Sequence, residues 1–227
     1  MKTMKVRIHF FEDVLATRPN DDATYETWIA SKAPDAKTME EEIAAKGPAD
    51  VFEKGITVFP RTKTGLPFHW NYQWKGFMKE KCSFLRKNDT TEEGTKPLSA
   101  GIKAFKKEID GNIFIEPRKI IINTEDPIEI NQRPLRTSGK DGERVALSAS
   151  EAIHCGAVTE FRVQCHIDKY VDVVDEWLDY GKLHGTGQWR NSGLGRFLWE
   201  LLDDDGNQIG GNYTPELYQQ LYDEANL

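Results

Sequence analysis

Gly185-Thr186-Gly187-Gln188-Trp189-Arg190-Asn191-Ser192-Gly193-Leu194-Gly195-Arg196-Phe197 sets two Gly-x-Gly pairs on either side of a five-residue insert that contains an arginine. Gly185, Gly187, Gly193 and Gly195 permit positive φ and a close backbone approach without Cβ interference, so the loop can turn N–H groups toward an anion. Arg190 and Arg196 add charge that fits phosphate. What flanks the loop decides the fold. Before it, Tyr170, Val171, Val173, Val174, Trp177 and Leu178 recur at helical spacing behind a possible cap at Asp168, with Asp172, Asp175, Glu176 and Asp179 facing water. After it, Arg196 to Leu201 reads as an apolar strand.

Residues 4–11 alternate apolar and polar, the pattern of a first strand. From Asn71 to Arg86 a helix is expected: Trp74, Phe77, Met78, Cys82 and Leu85 form the packed face, while Lys75, Lys79 and Arg86 line a basic one. Ile109-Asp110-Gly111-Asn112-Ile113 carries a turn signal, and Ile120-Ile121-Ile122 and Ile128 to Ile130 are strand material. Arg144 to Ile153 and Val158 to Ile167, joined through His154-Cys155-Gly156-Ala157, should pair as an antiparallel hairpin. The order is β-α-β-β-α-β, and the expected class is α+β: a ferredoxin-like (RRM-like) antiparallel sheet with two helices on one face. Residues 12–69 form an insertion after the first strand, with a helical stretch at 21–46 and a short strand within 50–60. Residues 203–227 form a C-terminal extension: an Asp205-Gly206-Asn207 turn, then a helix opened by Thr214-Pro215.

At 227 residues the chain makes one elaborated domain. It has no apolar run near ~18 residues and no charged-then-apolar leader, so a soluble, cytoplasmic protein without a membrane partner is expected. Cys82, Cys155 and Cys165 lack C-x-x-C spacing and read as reduced core thiols, not a disulfide framework or a zinc site. The net charge of −7 is unevenly spread: residues 61–144 hold 17 basic and 12 acidic side chains, whereas residues 145–227 hold 5 and 14. A polyanion would therefore follow the middle third and avoid the acidic helix.

These motifs resemble the repeat-associated mysterious protein (RAMP) superfamily of CRISPR systems. Its members carry a glycine-rich loop of this spacing after the second helix of a ferredoxin-like unit; here Thr186 replaces the first hydrophobic residue. Tyr72-Gln73-Trp74-Lys75-Gly76-Phe77-Met78-Lys79 is similar to the Lys-Gly-x-x-Arg helix start of CRISPR effector backbone subunits, with Lys79 for Arg. Arg133-Pro134-Leu135-Arg136-Thr137-Ser138-Gly139-Lys140 resembles the basic segment those subunits carry before their third strand. Prophage proteins can have a similar layout, so the resemblance extends to a prophage-encoded relative and does not imply a CRISPR locus. The resemblance implies an RNA-recognition fold, single-stranded RNA or a related oligonucleotide as ligand, and other subunits of a ribonucleoprotein complex as partners.

Such ligands are held by positive charge along the backbone and aromatic rings under the bases. Lys75, Lys79, Arg133, Arg136, Lys140, Arg190 and Arg196, with the loop glycines, are the expected RNA-binding set. Trp189 is either a stacking platform or the anchor of its own loop. Surface ion pairing of Arg136 and Arg144 with Asp141 or Glu143, and a purely structural role for the glycines, are the alternatives. Some members of the superfamily are metal-independent endoribonucleases with a histidine general base assisted by lysine or tyrosine, which makes His184, next to the loop, and then His69 the catalytic candidates. Two further readings stand beside a non-catalytic binder: that endoribonuclease, and a viral anti-defence mimic or nucleotide-sequestering protein. No cofactor fingerprint or metal-ligand spacing occurs, and Asp203-Asp204-Asp205 before Gly206 reads as an exposed turn.

Overall fold

The computed structural model describes residues 1–20, 55–87, 96–139 and 142–225. In chain order the strands are β1 (Lys2–Phe10), β2 (Val14–Leu15), β3 (Arg18–Pro19), β4 (Thr57–Val58), β5 (Phe68–Trp70), β6 (Ile113–Glu116), β7 (Lys119–Asn123), β8 (Glu129–Gly139), β9 (Gly142–Ile153), β10 (Val158–Cys165), β11 (Phe197–Leu202) and β12 (Gln208–Gly211). The helices are α1 (Asn71–Leu85), α2 (Phe105–Asn112), α3 (Tyr170–Asp179) and α4 (Pro215–Ala225). The helical stretch expected at 21–46 lies outside the described residues.

Alternation along β1 buries Met4, Val6, Ile8 and Phe10 on one face and leaves Lys5, Arg7 and His9 on the other. Both edges of β1 are paired antiparallel: Arg7 lies opposite Glu160 of β10 on one side and opposite Glu200 of β11 on the other. The sheet runs β12-β11-β1-β10-β7-β5, with β6 also pairing β10. Counted within the β-α-β-β-α-β unit, the order is fourth, first, third, second, which is the ferredoxin-like arrangement. α1 and α3 cover the face that β1 buries. Trp74 of α1 sits at the centre, its ring 4.7 Å from Phe161, 5.6 Å from Phe197 and 6.4 Å from Phe10. Cys82 and Cys165 lie in this core, where burial pushes each thiol up to about 11.

Three local expectations are corrected. β9 does not pair with β10. It pairs with β8 from Glu129↔Ala152 to Gly139↔Gly142, and with β2 and β4, in a second sheet ordered β2-β9-β4-β3. The connection at Gly156 (φ +94) passes the chain from one sheet to the other: the Gly156 N–H donates to the Phe10 carbonyl, and the Phe10 N–H to the Ala157 carbonyl. The β8–β9 hairpin is thus inserted between the second and third strands of the unit. Asp110-Gly111 is not a turn but the end of α2, because fully buried Ile109 anchors the helix and Asn112 Nδ2 donates to the Glu108 carbonyl at 2.9 Å. At α3 the cap position is Lys169, and Asp168 contributes its backbone carbonyl, not its carboxylate, to the first turn. The C-terminal helix opens as expected, with the Leu217 N–H donating to Thr214 Oγ1 at 3.1 Å.

Candidate functional site

The glycine loop leaves α3 through a short 3-10 turn and delivers the chain to β11. Its two ends cross at van der Waals limits. A Cβ on Gly185 would lie 2.0 Å from the Gly195 carbonyl, and one on Gly195, whose φ is +71, would lie 1.9 Å from the Thr186 oxygen. The crossing is sealed by the Thr186 N–H to the Gly195 carbonyl at 3.0 Å and tied to the segment after β1 by the Gly195 N–H to the Asp13 carbonyl at 2.8 Å. The close approaches these glycines permit are therefore to the chain's own backbone. Trp189 is the one described non-glycine residue with positive φ, at 57°, a conformation that costs on the order of 1–3 kcal/mol. Its ring packs on Leu15, Ala152 and Leu194, and the Arg133 guanidinium lies 5.3 Å from its centroid.

Between this loop and α1 opens a cleft of about 1100 Å³. Tyr72, Gln73, Phe77, Glu80 and Phe84 of α1 form one wall, residues 186–192 the opposite wall, and Arg18, Pro60, His69 and Trp70 close the end. At its edge Glu80 Oε2 gathers Arg190 Nη1 at 2.7 Å, Lys81 Nζ at 3.2 Å and His184 Nδ1 at 3.9 Å. Lys81 is fully buried, and that burial pulls its ammonium down to about 8 against the opposing pull of Glu80. Its Nζ hydrogen-bonds His184 Nδ1 and sits 4.5 Å from the Phe77 ring centroid. Burial, then the charge of Lys81, lowers the His184 pKa. This network makes His184 a neutral imidazole: Nδ1 accepts from Lys81, and Nε2 donates to Asn191 Oδ1 at 3.3 Å. His69 is 3% exposed and burial pushes it down to about 4.

Of the residues expected to act together, the cleft collects His69, His184, Gly187, Trp189 and Arg190. Gly185, Gly193 and Gly195 are the scaffold of its loop wall, and Arg133 backs Trp189. Lys75 and Lys79 lie on the flank of α1 that meets α2, with Lys79 Nζ 2.6 Å and Lys75 Nζ 3.9 Å from Asp110 Oδ1. Arg196 turns away from the cleft: it pairs with the Glu12 carboxylate, donates through Nε to the Gly193 carbonyl at 3.0 Å and covers Phe11. Arg136 falls on β8 opposite Val145, and Lys140 lies outside the described residues. Glu80, Lys81 and Arg18 were missed. For Lys81 a signal exists in the sequence, since position 81 falls on the same helical face as Trp74, Phe77 and Met78 and so places a lysine in a buried stripe.

No known protein family matches the chain, and no curated protein does. Among solved structures, a chain of the "Cryo-EM structure of the Type III-B Cmr-beta bound to cognate target RNA" is similar, with 11% identity and a TM-score of 0.47. The match covers 86% of this chain and 58% of that chain, so this protein spans well under two thirds of its neighbour's length. Among the described residues no helix is long and apolar enough to cross a membrane.

Proposed function

We propose that the cleft between α1 and the glycine loop holds single-stranded RNA or a related oligonucleotide without cutting it, as a RAMP-type binding protein working beside other subunits of a ribonucleoprotein assembly. One observation carries the reading: Trp70, Tyr72, Phe84 and Trp189 share a concave surface with Arg18 and Arg190. Aromatic faces under bases and guanidinium groups on phosphates are what an unpaired strand needs, each stacked base contributing about 1–3 kcal/mol. The volume exceeds the roughly 300–1,000 Å³ typical of pockets for one drug-sized molecule and suits a short run of chain. The loop glycines serve this by rigidity: they fix the wall that carries Trp189 and Arg190.

The histidines support binding over cleavage. A general base offers an unshared lone pair to the 2′-hydroxyl. In His184 that lone pair is engaged by Lys81, and its proton is directed at Asn191. His69 is enclosed. Filter binding over a salt series tests the proposal. Arg190→Ala is expected to weaken binding about tenfold and flatten the salt slope by about one phosphate contact. Affinity indifferent to salt and to Arg190→Ala overturns it. Incubation of structured RNA with the protein in EDTA should leave the RNA intact, and cleavage lost in His184→Ala would install the endoribonuclease in its place.

A further inference from the structure

The cleft is divided by charge. Arg18, Glu80 and Arg190 stand around its rim, whereas Pro60, His69, Phe77 and Thr186, the buried part of its lining, carry none. His69 is the floor residue whose chemistry is unspent: its Nδ1 has no hydrogen-bond partner among the described residues, and its neighbours are the rings of Phe59 and Trp74, 5.9 and 6.0 Å away. A buried polar atom left unpaired is destabilising, and native structures that keep one call for an explanation beyond packing. A neutral imidazole offers one donor and one acceptor. A phosphate would be stripped of water at this floor, where the buried cation beside Phe77, Lys81, is already held by Glu80 and His184, so the anionic part of a ligand belongs at the rim. What suits the floor is a flat, uncharged ring with donors and acceptors on its edge.

We infer that the floor of the cleft is a nucleobase pocket in which His69 hydrogen-bonds the edge of one base while the Arg18 and Arg190 rim takes the flanking phosphates. This rests on the oligonucleotide reading above and adds base selectivity to it. The imidazole keeps the same neutral form across the physiological range, because its pKa is held near 4, so selectivity is constant there.

The test is equilibrium binding of the full chain to short RNA homopolymers of each base and to an abasic strand of equal length. At least one homopolymer should bind about tenfold more tightly than the other bases, the ratio one such hydrogen bond supports. His69→Phe should abolish that preference, with circular dichroism and urea unfolding reporting that the variant is folded. Preference surviving in His69→Phe overturns the pocket. Equal binding of the four homopolymers with Arg190 dependence intact also overturns the pocket and leaves the oligonucleotide reading standing. Absence of binding to any strand removes both. Should His69→Phe fail to fold, nitrogen NMR of histidine-labelled wild-type protein titrated with uncharged nucleosides decides: saturable shifts of the His69 ring nitrogens support the pocket, and unmoved resonances overturn it.

Discussion

Lys81 is the residue at which stability and site chemistry meet. Its ammonium is buried against Phe77 and His184, and its pKa falls from 10.5 to about 8 because desolvation outweighs the attraction of Glu80. The folded state therefore holds fewer protons than the unfolded chain between about pH 8 and 10.5, and stability rises with pH across that window. The cost of charging Lys81 is present in full below pH 8, on the order of 3 kcal/mol. Lys81→Met is expected to be more resistant to urea than wild type at pH 7, with the difference shrinking toward pH 10.5; parallel curves would contradict this. A second residue-scale contrast lies in the loop. Gly195→Ala drives a Cβ into the Thr186 oxygen and should cost more than about 3 kcal/mol, while Gly193→Ala, with φ +88 but no atom within 3.4 Å, should cost about 1 kcal/mol, both measured by denaturant unfolding.

At the scale of elements, α1 separates two electrostatic environments. Its Glu80 flank faces the cleft, and its Lys75 and Lys79 flank is neutralised by Asp110. Lys79→Ala should leave RNA affinity within about twofold of wild type and alter stability by less than about 1 kcal/mol, as for other exposed pairs. The same measurement on Arg190→Ala supplies the contrast. On α3, burial and the neighbouring Asp179 and Asp172 push Asp175 up to about 6. The folded state then binds more protons than the unfolded chain between about pH 3.8 and 6, so this group destabilises above pH 6 and the penalty fades as pH falls. Asp175→Asn is expected to raise the melting temperature at pH 7 and to lose that advantage near pH 4. Both helices were legible as helices because apolar side chains recur every three or four residues. Their polar flanks were not: the sequence shows a basic face on α1 but not that α2, itself concealed behind an Asp-Gly pair, delivers Asp110 to it.

For the whole molecule, the order of strands and helices was enough to identify the ferredoxin-like unit, since β1, α1, α3 and β11 each declare their period. The second sheet was hidden, because adjacent strand-like runs such as β9 and β10 normally pair, and only a turn like that at Gly156 sends them to different sheets. The candidate cleft was legible where it coincides with the loop, at His184, Trp189 and Arg190. It was illegible where packing decides, at Glu80, Lys81 and Arg196. With a net charge of −7 and a rim whose cations are few, oligonucleotide affinity should depend only mildly on salt, a log–log slope of about −1 to −2 at ~0.7 per phosphate contact. A steeper slope would mean that basic residues outside the cleft touch the strand.

The loop wall and the long hairpin share one anchorage. Asp13 holds Gly195 through its carbonyl, and Leu15, one step along β2, lies under Gly187 while pairing with Ala152 of β9. Arg133 of β8 reaches over the Trp189 ring from the same side. The hairpin and the loop wall are thus fastened to the same three residues, 13–15, so a substitution that loosens β2 should disturb both at once.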